Sequence, residues 1–136
     1  MENIKALLEA ISASDQFCEM AAALTDSWQQ AHAGVESVDP ILRFMEEHPS
    51  LDFGMPGPLT HYVESFHGAG YEDMLLASLD RRPTFHTVWM LNRLINGTAD
   101  PTIRARQVSA MRRVISNERA DASAVSLAER LSRRQE

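Results

Sequence analysis

The sequence predicts an all-α fold, and three observations predict it. Apolar residues recur at i, i+3, i+4 and i+7 in several separate stretches, each set marking one face of a helix. Capping residues, prolines and glycines stand where these stretches begin and end. No segment alternates apolar and polar residues with a convincing period of two, so strands are not expected.

The first helix, near residues 3–12, places Ile4, Leu7, Leu8 and Ile11 on one stripe. The second, near 15–32, does the same with Phe17, Met20, Ala21 and Leu24, and Trp28 follows one turn on. Asp39-Pro40 opens the third, near 40–48, because aspartate caps a helix start and proline fits the first helical position. The stretch "HPSLDFGM", residues 48–55, is an apolar-rich loop expected to pack on the body. Pro56-Gly57-Pro58 restarts the chain before a helix near 57–67 with Leu59, Tyr62, Val63 and Phe66 on its stripe. Gly68 and Gly70 are placed to end it in the left-handed cap conformation. Met74, Leu75 and Leu79 mark a fifth helix near 71–81.

The sixth, near 84–96, is apolar nearly all round, with Phe85, Val88, Trp89, Met90, Leu91, Leu94 and Ile95. It reads as the buried centre of the fold, with Val88, Trp89, Leu91 and Ile95 at its heart, and Asn96-Gly97 is expected to stop it in a left-handed cap. Its polar groups His86, Asn92, Arg93 and Asn96 must then find partners on neighbouring helices or backbone, forming a hydrogen-bonded core that fixes register. Asp100-Pro101 opens a helix near 101–116, and Ala124, Leu127, Ala128 and Leu131 mark the last, near 121–133. Eight short helices with short connections predict stacked antiparallel α-hairpins in one domain spanning 1–136.

Composition bounds the function. A single cysteine, Cys18, excludes an internal disulfide and a thiolate zinc cluster, and fits a reducing compartment. No apolar run has the length to span a bilayer, and the acidic, amphipathic start does not resemble a signal peptide. A cytoplasmic protein without membrane contact is expected. The net charge of −6 conceals an asymmetry. Residues 1–80 hold two cations, Lys5 and Arg43, against fourteen acids, whereas residues 81–136 hold eleven arginines against five acids. Such a split points to a partner of opposite charge, or to oppositely charged helices lying side by side.

The strongest enzyme candidate is His61-x-x-Glu64-x-x-His67. Metal-binding helices favour ligands at i and i+4, whereas spacings of three and six turn the side chains about 60° and about 120° away from the first. His67 therefore drifts off the face, and no metal site is expected. Glu72, Asp73 and Asp80 read as a solvated face, the first two favoured by the helix dipole at their helix start. Cys18 has no basic neighbour in sequence and reads as an inert buried thiol. There is no glycine-rich phosphate loop and no nucleophile elbow. Arginines decorate the last two helices, yet aromatics are missing from residues 90–136, so a base-stacking platform is lacking and direct nucleic-acid binding is not expected. No catalytic residue and no cofactor are therefore expected.

The run "PGPLTHYVESFHGAGYEDMLLASLDRRPTFHTVWMLNRLING", residues 56–97, resembles small bacterial immunity proteins. Its most specific parts are Pro56-Gly57-Pro58-Leu59, Tyr71-Glu72-Asp73-Met74-Leu75 and Thr84 through Asn96. Such proteins are encoded beside secreted polymorphic toxins, including those of contact-dependent growth inhibition systems. The resemblance implies a cytosolic protein that binds one cognate toxin domain and blocks it in the producing cell. It carries no functional residue over position by position. The residues themselves add a mechanism: an acidic face would mimic the phosphates of a nuclease substrate, steer association and cover a basic active site. On that reading Glu46, Glu47 and Asp52 are the first candidates for the interface, and Glu72 and Asp73 the second. Two alternatives remain open, a non-catalytic α-helical adaptor or regulator of another protein and an enzyme built on His61, Glu64 and nearby acids. The oligomeric state is not legible.

Overall fold

Every expected helix forms within a few residues of its expected bounds. The computed structural model describes residues 3–135, and among them the regular structure is helical, with no strand. The helices are α1 (Ile4–Ile11), α2 (Phe17–Gln30), α3 (Val38–Glu47), α4 (Gly57–Glu64), α5 (Tyr71–Arg81), α6 (Phe85–Asn96), α7 (Pro101–Ile115) and α8 (Ala122–Arg134), with a 3₁₀ turn at Val35–Ser37. Side-chain caps explain several starts, since each satisfies an amide that the helix leaves unpaired. Asn3 accepts the Ala6 N–H, Asp121 that of Ala124, and Asp100 those of both Thr102 and Ile103. Thr84 and Thr87 form a reciprocal capping box at the start of α6.

Three ends differ from expectation, each for a local reason. The 3₁₀ turn runs straight into α3, so that helix begins at Val38 and Asp39 falls in its first turn instead of capping it. There Asp39 accepts from Arg43 one turn along, at 2.7 Å. α4 stops at Glu64, and the chain leaves through short i+3 bonds before Gly68 and Gly70 take φ of +82° and +117°. Gly97 keeps φ at −93°, not the left-handed value, because its N–H closes the last turn of α6 on the Arg93 and Leu94 carbonyls. The left-handed cap occurs instead on α2, at His32 with φ +56°. The His32 N–H reaches the Gln29 carbonyl and the Ala33 N–H reaches that of Trp28, the paired bonds of a Schellman motif.

The chain divides after Tyr71 into two compact units. In the first, α1 packs on α3 and α2 on α4. Phe17 stacks on Phe44 at 5.9 Å between ring centres, and Phe53 meets both edge-on. Phe53 is buried, so the 48–55 loop does pack on the body as its composition suggests. A second cluster joins Trp28, Tyr62 and Phe66.

In the second unit, α6, α7 and α8 pack on one another. Val88, Met90, Leu91 and Ile95 are buried, as are Met111, Val114, Ala124 and Ala128. The connection from α7 to α8 caps α5: Asn117 donates to the Leu79 and Asp80 carbonyls, and Arg119 to that of Arg81. One expectation for α6 fails. Trp89 is half-buried, with the Arg93 guanidinium 5.1 Å over its ring, while His86 is buried in its stead. Phe85, Trp89, Asn92, Arg93 and Asn96 share the outer stripe, where the Arg93 guanidinium covers the Trp89 ring.

Candidate functional site

The first unit concentrates negative charge. Its 71 residues hold Lys5 and Arg43 against eleven acids, a net of −9, while the second unit holds eleven arginines against eight acids. Both cations of the first unit are already engaged. Lys5 pairs with Glu47 and Arg43 with Asp39, while the His48 ring meets Glu9 at 2.9 Å. Asp15, Glu19 and Asp26, on and just before α2, are exposed with no paired cation among the described residues.

The start of α2 and the loop after α3 meet around Cys18. Its thiol lies 3.7 Å from the Asp52 carbonyl, and a Cβ on Gly54 would come within 3.8 Å of the sulfur. Cys18 is half-buried where full burial was expected. Burial, then the charge of Asp52, then that of Glu19 push its pKa up. Glu19 and Asp52 therefore stand close enough for their fields to reach the same sulfur. Asp52 is fixed by accepting the Gly54 N–H at 2.8 Å, which holds the carboxylate on a stiff turn. The same two segments carry Met20 and Met55, which are 40% and 57% exposed. Exposed methionines supply adaptable apolar contact.

A raised pKa leaves less thiolate at any pH, so Cys18 should alkylate a few-fold more slowly at neutral pH than an unhindered cysteine. Asp52→Asn and Glu19→Gln should each speed the reaction by lowering that pKa. Iodoacetamide labelling across a pH series reads both effects, and an unchanged rate in both variants would mean that the carboxylates do not act on this sulfur.

The acids expected from sequence fall in different places. Asp52 stands in the patch just described. Glu46 does not stand on the surface: it is 7% exposed, because α3 buries Ile41, Leu42, Phe44 and Met45 and so covers most of its last turn as well. Glu47 is exposed but tied to Lys5 of α1, which accounts for a carboxylate at an unfavourable helix end. Glu72 and Asp73 belong to the second unit. There Asp73 faces Arg106 at 3.8 Å and Asp80 faces Arg113 at 3.4 Å, both pairs exposed. Both partners step by seven in the same direction, so α5 and α7 run parallel across an open groove of about 620 Å³. Glu19 and Asp26 escaped the sequence reading. The only signal for them was charge, which stripe analysis treats as generic surface.

The histidine-glutamate motif gathers no metal site. His61 and His67 are exposed, and the described residues contain no group of three or more His, Cys, Asp or Glu placed to hold an ion. No helix is long and apolar enough to cross a membrane among the described residues. The chain matches no protein-family profile, no curated protein and no solved structure.

Proposed function

We propose that this protein is an immunity protein that binds a cognate secreted toxin domain, a nuclease, and occludes its basic active-site surface. The supporting observation is the acidic face of the first unit, where Glu19 and Asp52 converge on Cys18 while Lys5 and Arg43 are engaged by other acids. A nuclease surface built to hold a polyanion is basic, and an array of carboxylates complements it as its substrate does. The resemblance of residues 56–97 to immunity proteins supports the same reading, and the protein acts in the cytoplasm of the producing cell by binding alone. A non-catalytic adaptor for some other basic protein is the second reading, favoured by the same charge.

Removing the two convergent charges tests it. The double variant Glu19→Gln, Asp52→Asn keeps an acceptor for the Gly54 N–H and deletes two carboxylates. Association with the toxin domain should slow about ten-fold at low salt, and the salt dependence of its rate should flatten. Helicity should be unchanged. If rate and salt dependence both survive, the partner docks elsewhere.

A further inference from the structure

A recess of about 440 Å³ opens in the first unit where α1 begins, α2 ends and the 3₁₀ turn follows. Ile4, Trp28, Ala31 and Ala33 give it apolar walls, and His32 and Glu36 line it with polar groups. Trp28, 4% exposed, belongs to its floor. We propose that this recess receives an arginine side chain of the partner protein, with Glu36 taking the guanidinium.

Three observations support that occupant over a neutral one. The first is Glu36 itself. Its Oε1 accepts the Gly34 N–H at 3.1 Å, which folds the carboxylate back and leaves Oε2 to accept from elsewhere. Gly34 makes this possible, since a Cβ there would stand 2.4 Å from Oε2. The Gly34 N–H thus anchors an exposed carboxylate that a side chain on residue 34 would displace. Second, the charge of the surrounding unit favours a cation, with both of its own engaged by other acids. Third, the walls are apolar, and a guanidinium is weakly hydrated, planar and able to lie along such a surface while its edge meets a carboxylate. An ammonium is more strongly hydrated and gains less there.

The backbone beside the recess is also unusual. His32 occupies the left-handed position of the Schellman motif, with φ +56°, where glycine sits without strain. His32 places a ring at that position, and the residue lines the recess. It supplies a wall that glycine would remove.

The inference rests on the partner being a basic protein, but its test needs no partner. The probe is N-acetyl-argininamide, titrated into isotopically labelled protein carrying Trp89→Phe, which leaves Trp28 as the one indole. The indole N–H of Trp28 has no acceptor among the described residues, so a new neighbour should register at that resonance. The expected result is a saturable shift of the Trp28 indole and of the Ala31, Ala33 and Gly34 amides at millimolar probe. N-acetyl-citrullinamide, of the same shape without the charge, should bind at least five-fold more weakly. Glu36→Gln keeps an acceptor for the Gly34 N–H and should weaken the arginine probe to the same extent. Equal binding of the neutral probe, an unchanged affinity in Glu36→Gln, or shifts that never saturate would each overturn the assignment. Such a failure would leave the toxin-binding reading intact, because that reading is tested at Glu19 and Asp52.

Discussion

Phe44→Ala should lower the unfolding free energy by about 3–5 kcal/mol, the usual range for truncating a buried aromatic. The ring is fully buried and lies at the centre of three contacts. Phe17 stacks on it at 5.9 Å, Phe53 meets it edge-on at 6.1 Å, and the His48 ring tilts against it at 4.4 Å. Those contacts come from α2, from the loop after α3 and from the residue that ends α3, so no single rotamer change can refill the space. The loss should also loosen His48, whose ring nitrogen meets Glu9 of α1. Denaturant unfolding followed by helicity measures the cost. A change below about 1 kcal/mol would mean that the aromatic cluster is not packed as described.

Tyr62 should show a comparable total effect that separates into two parts. Its ring is 2% exposed and meets Trp28 at 5.6 Å and Phe66 at 5.4 Å, both edge-on. Its hydroxyl lies 2.7 Å from that of Ser37. Ser37 donates its one proton to the Gly34 carbonyl at 2.7 Å, so Tyr62 must be the donor in the buried pair. Tyr62→Phe removes that donor, leaves the Ser37 oxygen short of a partner, and should cost about 1–2 kcal/mol. Tyr62→Ala removes the ring as well and should cost about 3–5 kcal/mol. The chain of bonds from Tyr62 through Ser37 to Gly34 also steadies the 3₁₀ turn that positions Glu36. Equal costs for the two substitutions would place the whole contribution in the hydroxyl and contradict the packing described here.

Helix positions were legible because each signal is local. Asp100 before Pro101, and the Leu59, Tyr62, Val63 stripe, act through residues within two turns of each other. Trp89 was misplaced because the apolar run around it masked the one polar stripe of α6, which Trp89 shares with Asn92, Arg93 and Asn96. Arg93, one turn along, lies over the indole there. Glu47 read as a surplus acid because its cation, Lys5, is 42 residues away in sequence on another helix. Asp52 stood out in the sequence because it is alone in a loop, whereas Glu19 looked like any charge on a solvated stripe. Only the approach of the loop to α2 makes the two a pair. The recess beside Trp28 had no sequence signal, since it is made by a helix end, a left-handed histidine and a folded-back carboxylate that lie together only after folding.

The most direct test of the proposed function is protection. On the proposed reading a toxin-bearing reading frame neighbours the gene for this protein, and that toxin would be expressed in a host with no immunity of its own, alone and together with this protein. The proposed reading predicts that growth is lost with the toxin alone and restored by co-expression. It further predicts that the Glu19→Gln, Asp52→Asn variant restores growth less well at matched protein levels. Death of the co-expressing cells, with the protein folded and present, would contradict it.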